Sequence, residues 1–480
     1  MITIQSAILS GLSSVRVEVC AAPVAQGSFP WPVNVVFRGM RSERRENACS
    51  IETRVRTHAA LASHFGDLRA VAPWLLVEVF CHNTSGAVDG LDLAVVTAAA
   101  MVYKSRAQEA LKALEDVLVI GSVNLSGELR PVRGTLAHLL AARESGMRGA
   151  IVPRGSMAAA SLVARGDFPI WEARSVNEVI AHIDGGPLLP LVFDCQAPTM
   201  AEYHHDFREF VGQASAVRAA EIAAAGSHSM LILGRPGSGR TMLARRMTSI
   251  LPLPSAAEAL DIARIADASG MGTAAARPFR APHYTASTAA LVGGGEPLRL
   301  GEMSLAQGGA LFLDGLNEFR RDALSAVNNV RGNGALKCMP ADPMMIAAMD
   351  TCACSAHPCT CPKERIASYI ARVADFTDTL EIRVRLDARP LGPGRTTPDE
   401  SQSSAVIRER VVAARTFRAD REARNAGGQR PSAMALLRGR PRAECNRAMA
   451  VARTIADLDA SDLVSEAHMA EAVCVTGGVT

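Results

Sequence analysis

The sequence predicts an α/β protein: two α/β blocks in series, then a small helical C-terminal piece. Three observations carry this expectation. Strand-like and helix-like segments alternate through residues 1–186. A short apolar strand, a Gly-rich loop and a helix-like run follow one another at 229–251. Beyond Pro390 the chain turns polar and Arg-rich, with helical spacing and no strand pattern.

In the first block, SSVRVEVC, PVNVVFRG, WLLVEVFC and DVLVIGSVNL read as strands, and residues 91–103 and 135–144 as helices. Gly185-Gly186-Pro187 breaks the pattern, and prolines 187, 190 and 198 mark 187–205 as a linker. The second block spans 206–390. The last segment, 391–480, opens on Gly392, Pro393, Gly394 and Pro398. It continues as a polar helix from Ser404 to about Asn425 and ends in a helical piece, Arg442–Val473. No internal repeat is visible.

Composition narrows the function classes. The chain has 480 residues, is 48% hydrophobic and 21% charged, which excludes a disordered tail or a fibre. The net charge is only +3, so any polyanion-binding surface must be local. Four lysines against 47 arginines show that Arg has displaced Lys generally. MITIQSAILSG has no basic stretch ahead of its apolar residues, and no run of about 20 apolar residues occurs. A cytoplasmic protein without a membrane span is expected, its eleven cysteines reduced.

The chemistry concentrates at Gly234-Arg-Pro-Gly-Ser-Gly-Arg-Thr241. The spacing is G-x-x-x-x-G-K-[ST] at every position except the lysine, which is Arg240. Glycines let consecutive N–H groups turn inward around a phosphate, and the following helix adds its positive end. The expected nucleotide contacts are Gly234, Gly237, Ser238, Gly239, Arg240 and Thr241, with the Thr241 hydroxyl on Mg²⁺. Arg240 keeps the charge but spreads it over a wider planar fork. ALFLD (310–314) reads as a strand ending in Asp314, the second expected Mg²⁺ group. A water-orienting Glu commonly follows such an Asp; here the residue is Gly315. Glu318, four residues past Asp314, reads as a surface or interface residue.

These residues carry a resemblance. DFREFVGQASAVRAAEIAAAGSHSMLILGRPGSGRTMLARR, RPFRAPHYTASTAALVGGG (277–295), GEMSLAQGGALFLDG (301–315) and VARTIADL (451–458) resemble the magnesium-chelatase-like AAA+ proteins of the ComM/YifB type. The resemblance covers nearly the whole chain and is most specific in 206–315. It implies a Lon-protease-like N-terminal α/β domain, a P-loop AAA+ core and a C-terminal helical lid. It further implies ATP and Mg²⁺ as cofactors, self-association into a hexameric ring, and ATP-driven branch migration of DNA in natural transformation.

Four positions depart from the pattern that the resemblance supplies. Arg240 stands for the loop lysine and Gly315 for the glutamate. Asp350, in MDTCACS, stands for a sensor asparagine, and Thr379, in TDTLE, for an arginine. All four would act on the terminal phosphate, so weakened nucleotide binding and severely impaired hydrolysis are expected. No catalytic residue is assigned. The lid also reads as shortened between Asn425 and Arg442, leaving Arg442 as the candidate for its nucleotide-facing arginine. A non-catalytic scaffold that partners an active relative is the alternative. A magnesium-chelatase ATPase subunit is the third reading, disfavoured by the Lon-like N-terminal domain.

Other groups read as follows. In VDGLDLA, Asp92 stands where Lon-type peptidases carry a nucleophilic Ser, and Leu136 where they carry a Lys, so peptidase chemistry is not expected. Ser122 and Ser126 read as turn residues. Cys352, Cys354, Cys359 and Cys361, spaced C-x-C-x₄-C-x-C, suit a structural Zn²⁺ but read equally as free thiols, with His357 as a weak additional ligand. Arg277, Arg280 and His283 are DNA-facing candidates or parts of a structural loop. Arg408, Arg410, Arg415, Arg418, Arg421 and Arg424 reach phosphate or form a solvated face with Glu409 and Glu422.

Overall fold

The computed structural model describes residues 1–40, 43–70, 73–84, 88–103, 112, 114–164, 167–184, 186, 190–191, 205–273, 276–295, 298–333, 335–336, 339–354, 359–386, 402–424, 428–429 and 431–477. The chain divides into two compact units: Met1–Met200 with Ala256–Ala275 and Gly294–Leu300, and the remainder. No helix among the described residues is long and apolar enough to cross a membrane.

The first unit is built on an eight-stranded mixed sheet. Its strands are β1 (Ile2–Ser10), β2 (Ser13–Val24), β3 (Val33–Met40), β4 (Trp74–Thr84), β5 (Val117–Val119), β8 (Gly149–Pro153), β9 (Ile170–Ala173) and β10 (Pro190–Leu191), with the hairpin β6 (Ser122–Val123) and β7 (Leu129–Arg130) apart. The order is β10-β9-β8-β5-β1-β2-β4-β3. Alternation explains why both faces are covered. In β5, Val117 and Val119 join the core beneath helices 43–65 and 92–102, whereas Leu118 and the following Ile120 join the core beneath helices 135–144 and 157–163. Helix Asp92–Val102 is buried from Asp92 to Met101; its small residues let it lie within the core.

At the head of that helix Asp92 is fully buried. Arg56 meets it at 2.9 and 3.1 Å, Ser122 Oγ and the Val123 N–H donate at 3.3 Å, and Thr53 Oγ1 at 3.4 Å. Desolvation raises the carboxyl pKa, and Arg56 opposes the rise. Asp92 thus ties helix 43–65 to helix 92–102 and β6. Truncating one partner of a buried pair typically costs about 3–5 kcal/mol. Asp92→Ala is therefore predicted to lower first-unit stability by about 3 kcal/mol in denaturant melts; a loss below about 1 kcal/mol contradicts this account.

Helix Ala256–Ser269 belongs to the first unit, where Ala263 packs into the second core. Asp267 closes the contact by accepting the Leu136 N–H, at the start of helix Thr135–Glu144, at 2.7 Å. Burial pushes this carboxyl from 3.8 up to about 6, against the Leu136 hydrogen bond, which lowers it. A raised folded-state value means the native state binds the proton more tightly. The stabilisation is full below the unfolded value and lost as pH rises through about 6. Asp267→Asn is predicted to flatten this part of the stability–pH curve between pH 4 and 6; curves parallel to wild type contradict it.

The second unit holds a five-stranded, all-parallel sheet: β11 (Met230–Gly234), β12 (Phe279–Arg280), β13 (Ala310–Asp314), β16 (Met344–Met349) and β17 (Ile382–Leu386), ordered β12-β13-β16-β11-β17. A small hairpin, β14 (Ala335–Leu336) and β15 (Met339–Pro340), stands apart. The strands are apolar on both faces because both are covered: Met230 and Ile232 enter one core, Leu231 and Leu233 the other. Parallel order brings all the carboxyl ends to one edge, where crevices form in open α/β sheets.

Helices Ser404–Ala423, Arg442–Leu458 and Glu466–Thr476 pack on the first of those cores. The single helical piece expected over 442–473 is two helices. Ala460 takes a left-handed φ of 48°, and the Ser461 N–H returns to Ala456 O. Ser465 and His468 then cap the next helix reciprocally.

Candidate functional site

β11 is buried throughout and delivers the chain to the turn at 235–239. Gly237 and Gly239 adopt φ of 81° and 95°, which other residues resist. A Cβ on Gly234 would collide with Ser238 Oγ. Helix Arg240–Ile250 starts directly after Gly239, so its free N–H groups face the loop. It ends at Leu251, before Pro252. Ser238 Oγ is buried with no hydrogen-bond partner among the described residues. An orphaned hydroxyl in a loop of inward N–H groups fits an anionic ligand.

Three neighbouring strand ends meet here. Thr241 Oγ1 donates to Asp314 Oδ2 at 2.9 Å, joining residues 73 apart in sequence. Arg240 Nη1 lies 2.5 Å from Asp350 Oδ1, with side chains 14% and 22% exposed. Asp350 follows β16, whose Met349 pairs with Leu233, so it flanks Gly234. Gly315 begins a turn with φ 69°, and the exposed Glu318 sits on the single 3₁₀ turn that follows. A Cβ at Gly315 would lie 3.8 Å from Glu318 Cγ, leaving room for a side chain. Tyr369 stands close by. Burial raises its pKa, Asn317 opposes this by hydrogen bonding, and Asp350 and Glu318 add to it.

A cavity of about 440 Å³ adjoins the loop. Phe210, Gln213, Val217, Glu221, Gln402 and Arg410 help to line it. Gln213 Nε2 donates to Ser238 O at 3.1 Å, and Phe210 lies 3.3 Å from where a Gly239 Cβ would be. The two residues therefore face both the loop and the cavity. Neither residue carries a motif of its own; its sequence signal is the segment DFREFVGQ, which bears the resemblance.

Thr379 lies elsewhere. It precedes β17, whose first residue, Ile382, pairs with Met230 at the start of β11. Thr379 therefore sits at the opposite edge of the sheet from the loop, about five residues or roughly 16 Å along the strands. Arg331 donates to its carbonyl and hydroxyl at 3.0 and 3.2 Å.

The basic candidates are largely engaged within the molecule. Arg277 is buried and donates to the carbonyls of Pro252 and Gly308. Arg280 forms a two-point pair with Glu302 at 2.7 and 2.8 Å. His283 is exposed, its ring 4.1 Å from that of Tyr284. On helix 404–423, Arg408 bonds Ser249 O, Arg410 bonds Glu221, Arg415 bonds Ala224 O, and Arg418 bonds Glu422. Arg421 forms a buried pair with Asp457, and Arg424 bonds Asp462. Five of these six arginines stitch their helix to other elements of the unit. Arg442 is exposed at the start of its helix.

The sulfurs of Cys352, Cys354, Cys359 and Cys361 all lie within 4.8 Å of one another. Hydrogen bonds to Cys352 and Cys354 push the Cys361 thiol up to about 12. Four convergent sulfurs are a donor set suited to Zn²⁺. His357 falls outside the described residues. In the first unit, the expected nucleophile and base positions hold the ion-paired Asp92 and the fully buried Leu136. Ser126 closes a turn on Asn124, whereas Ser122 donates to Asp92 instead of serving only as a turn residue.

Comparison with known proteins agrees with the sequence resemblance. A family model described as "Magnesium chelatase, subunit ChlI" matches residues 206–391, and "Subunit ChlI of Mg-chelatase" matches 52–156. Competence protein ComM of Haemophilus influenzae is 32% identical over 393 residues, 74% of this chain and 76% of that protein. YifB of Salmonella typhimurium is 33% identical over 395 residues, 75% and 77% of the two chains. Rv2897c of Mycobacterium tuberculosis is 32% identical over 344 residues, 68% and 67%. With an α/β core carrying the Gly-rich loop and this identity over most of its length, the chain belongs to the magnesium-chelatase-like ComM/YifB family of AAA+-like proteins.

Proposed function

We propose that this chain is a nucleotide-binding AAA+ protein that holds ATP with Mg²⁺ at 234–241 and hydrolyses it very slowly. The reading includes a Lon-like, non-peptidase domain at 1–186 and a linker at 187–205. An AAA+ core at 206–390 and a shortened lid at 391–480 complete it. The observation that carries it is the Thr241–Asp314 contact, a hydroxyl and a carboxylate held together beside a phosphate-type loop. Thr241 and Asp314 would hold Mg²⁺, which when bound supplies charge neutralisation to the phosphates. The inward N–H groups of 237–241 and the Ser238 hydroxyl would receive the phosphates. The adjoining cavity, with Phe210 and the Gln213 amide, has the size and mixed character that a nucleobase requires.

Slow hydrolysis follows from what the side chains can do. Gly315 has no carboxylate to orient water. Asp350 accepts hydrogen bonds where an amide would donate one. Thr379 cannot stabilise charge in a neighbouring copy; an arginine in that role is typically worth ~10³–10⁵ in rate. Self-association into a ring, a cytoplasmic location and backbone contact with DNA, with His283 as the exposed candidate, are proposed from kinship with Competence protein ComM. The alternative of a non-catalytic partner of an active relative gains from the Arg240–Asp350 pair, which engages the loop cation internally.

The test is ATP turnover of purified protein with and without DNA, beside ComM of Haemophilus influenzae. Turnover at least about a hundredfold below ComM is predicted, and comparable turnover contradicts the reading. Gly315→Glu with Arg240→Lys is predicted to raise turnover about tenfold or more, despite about 1–2 kcal/mol of strain from a side chain at positive φ.

A structural Zn²⁺ on Cys352, Cys354, Cys359 and Cys361 is part of the same proposal, supported by their convergence. Such a site supplies folding energy and no open position for chemistry. Metal analysis should find about one zinc per chain, lost in Cys354→Ser/Cys359→Ser with a lower melting temperature. Zinc-free protein with wild-type melting in that variant contradicts it.

A further inference from the structure

We infer that Arg240 and Asp350 act as one internal counter-ion pair that makes the loop prefer a nucleoside diphosphate to a triphosphate. The inference rests on the nucleotide-binding reading above and goes beyond it to the number of phosphates held.

Both positions depart from the family pattern, each by a change in charge or shape, and the two altered side chains touch. The contact follows from topology. β16 lies between β11 and β13, so the residue after β16 faces the first residue of helix 240–250 across the loop mouth. Arginine's wide fork reaches sideways to the carboxylate. Most of each side chain is withdrawn from water, so solvent screens the attraction only in part.

Other charged groups stand around the mouth. Asp314, bonded to Thr241 and proposed above to hold Mg²⁺, and the exposed Glu318 lie on the β13 side. With Arg240 engaged by Asp350, the loop's other cation is Arg235, half-exposed at its start. Phosphates held by backbone N–H groups do not need the Arg240 charge. A third phosphate does: it must draw the guanidinium off Asp350 and then share the space with that carboxylate. The loop keeps its grip on the inner phosphates and loses it on the outermost one.

A purely structural ion pair would alter stability without sorting nucleotides, so the decisive readout is the ratio of two affinities. Titration calorimetry with Mg²⁺ should show wild-type protein binding ADP about tenfold or more tightly than ATP. Asp350→Asn should tighten ATP about tenfold while moving ADP less than about threefold, and Arg240→Lys with Asp350→Asn should do the same. Wild-type binding of ATP as tight as ADP overturns the inference and leaves the nucleotide reading standing. So does an Asp350→Asn variant that shifts both nucleotides equally. Absence of binding for both nucleotides in all three proteins overturns the nucleotide reading itself. The wild-type ratio needs no variant, so misfolding of either one leaves the inference exposed to failure.

Discussion

Five parallel strands that must all end at one edge are the constraint on which this molecule's second unit depends. Parallel pairing forces each connection to cross back over the sheet, so the strand ends collect chemistry from distant parts of the sequence. Gly234, Asp314 and Asp350 are separated by 80 and 36 residues in sequence, yet register sets them side by side. The sheet tolerates this because both its faces are apolar and covered. Phe312 faces one core while Leu311 and Leu313 face the other.

The loop region was legible because its requirements are local. A glycine is needed where φ is positive, a helix must start at once, and a hydroxyl must follow; all three can be read at 234–241. The strand ending in Asp314 was legible for the same reason. Longer-range facts were not. No periodicity announces that Arg240 meets Asp350, 110 residues on, or that Gln213 touches Ser238. Arginines 408 to 424 look like a solvated or phosphate-reaching face in sequence, because charge alone carries no information about partners. Their partners, among them Asp457 and the Ala224 carbonyl, come from other helices. The split near Ala460 was hidden because alanine, a strong helix former, takes a left-handed conformation there.

The four positions that the sequence resemblance marks as departures fall into two groups once placed in space. Arg240, Gly315 and Asp350 surround the loop, while Thr379 lies at the opposite edge of the sheet. Under the proposed function, the first three bear on what a single copy holds and cleaves. Under the same proposal, the fourth bears on what one copy offers another. The fold around these positions is intact: the glycine turn, the helix start and the Thr241–Asp314 contact are all present.

The central claim is that the turn at 234–241, with the cavity beside Phe210, is where nucleotide sits. Amide hydrogen exchange with and without Mg²⁺-ADP tests it most directly, because it maps protection on the backbone. The account predicts slowed exchange in 210–214 and 235–243. Protection confined to other segments would contradict it.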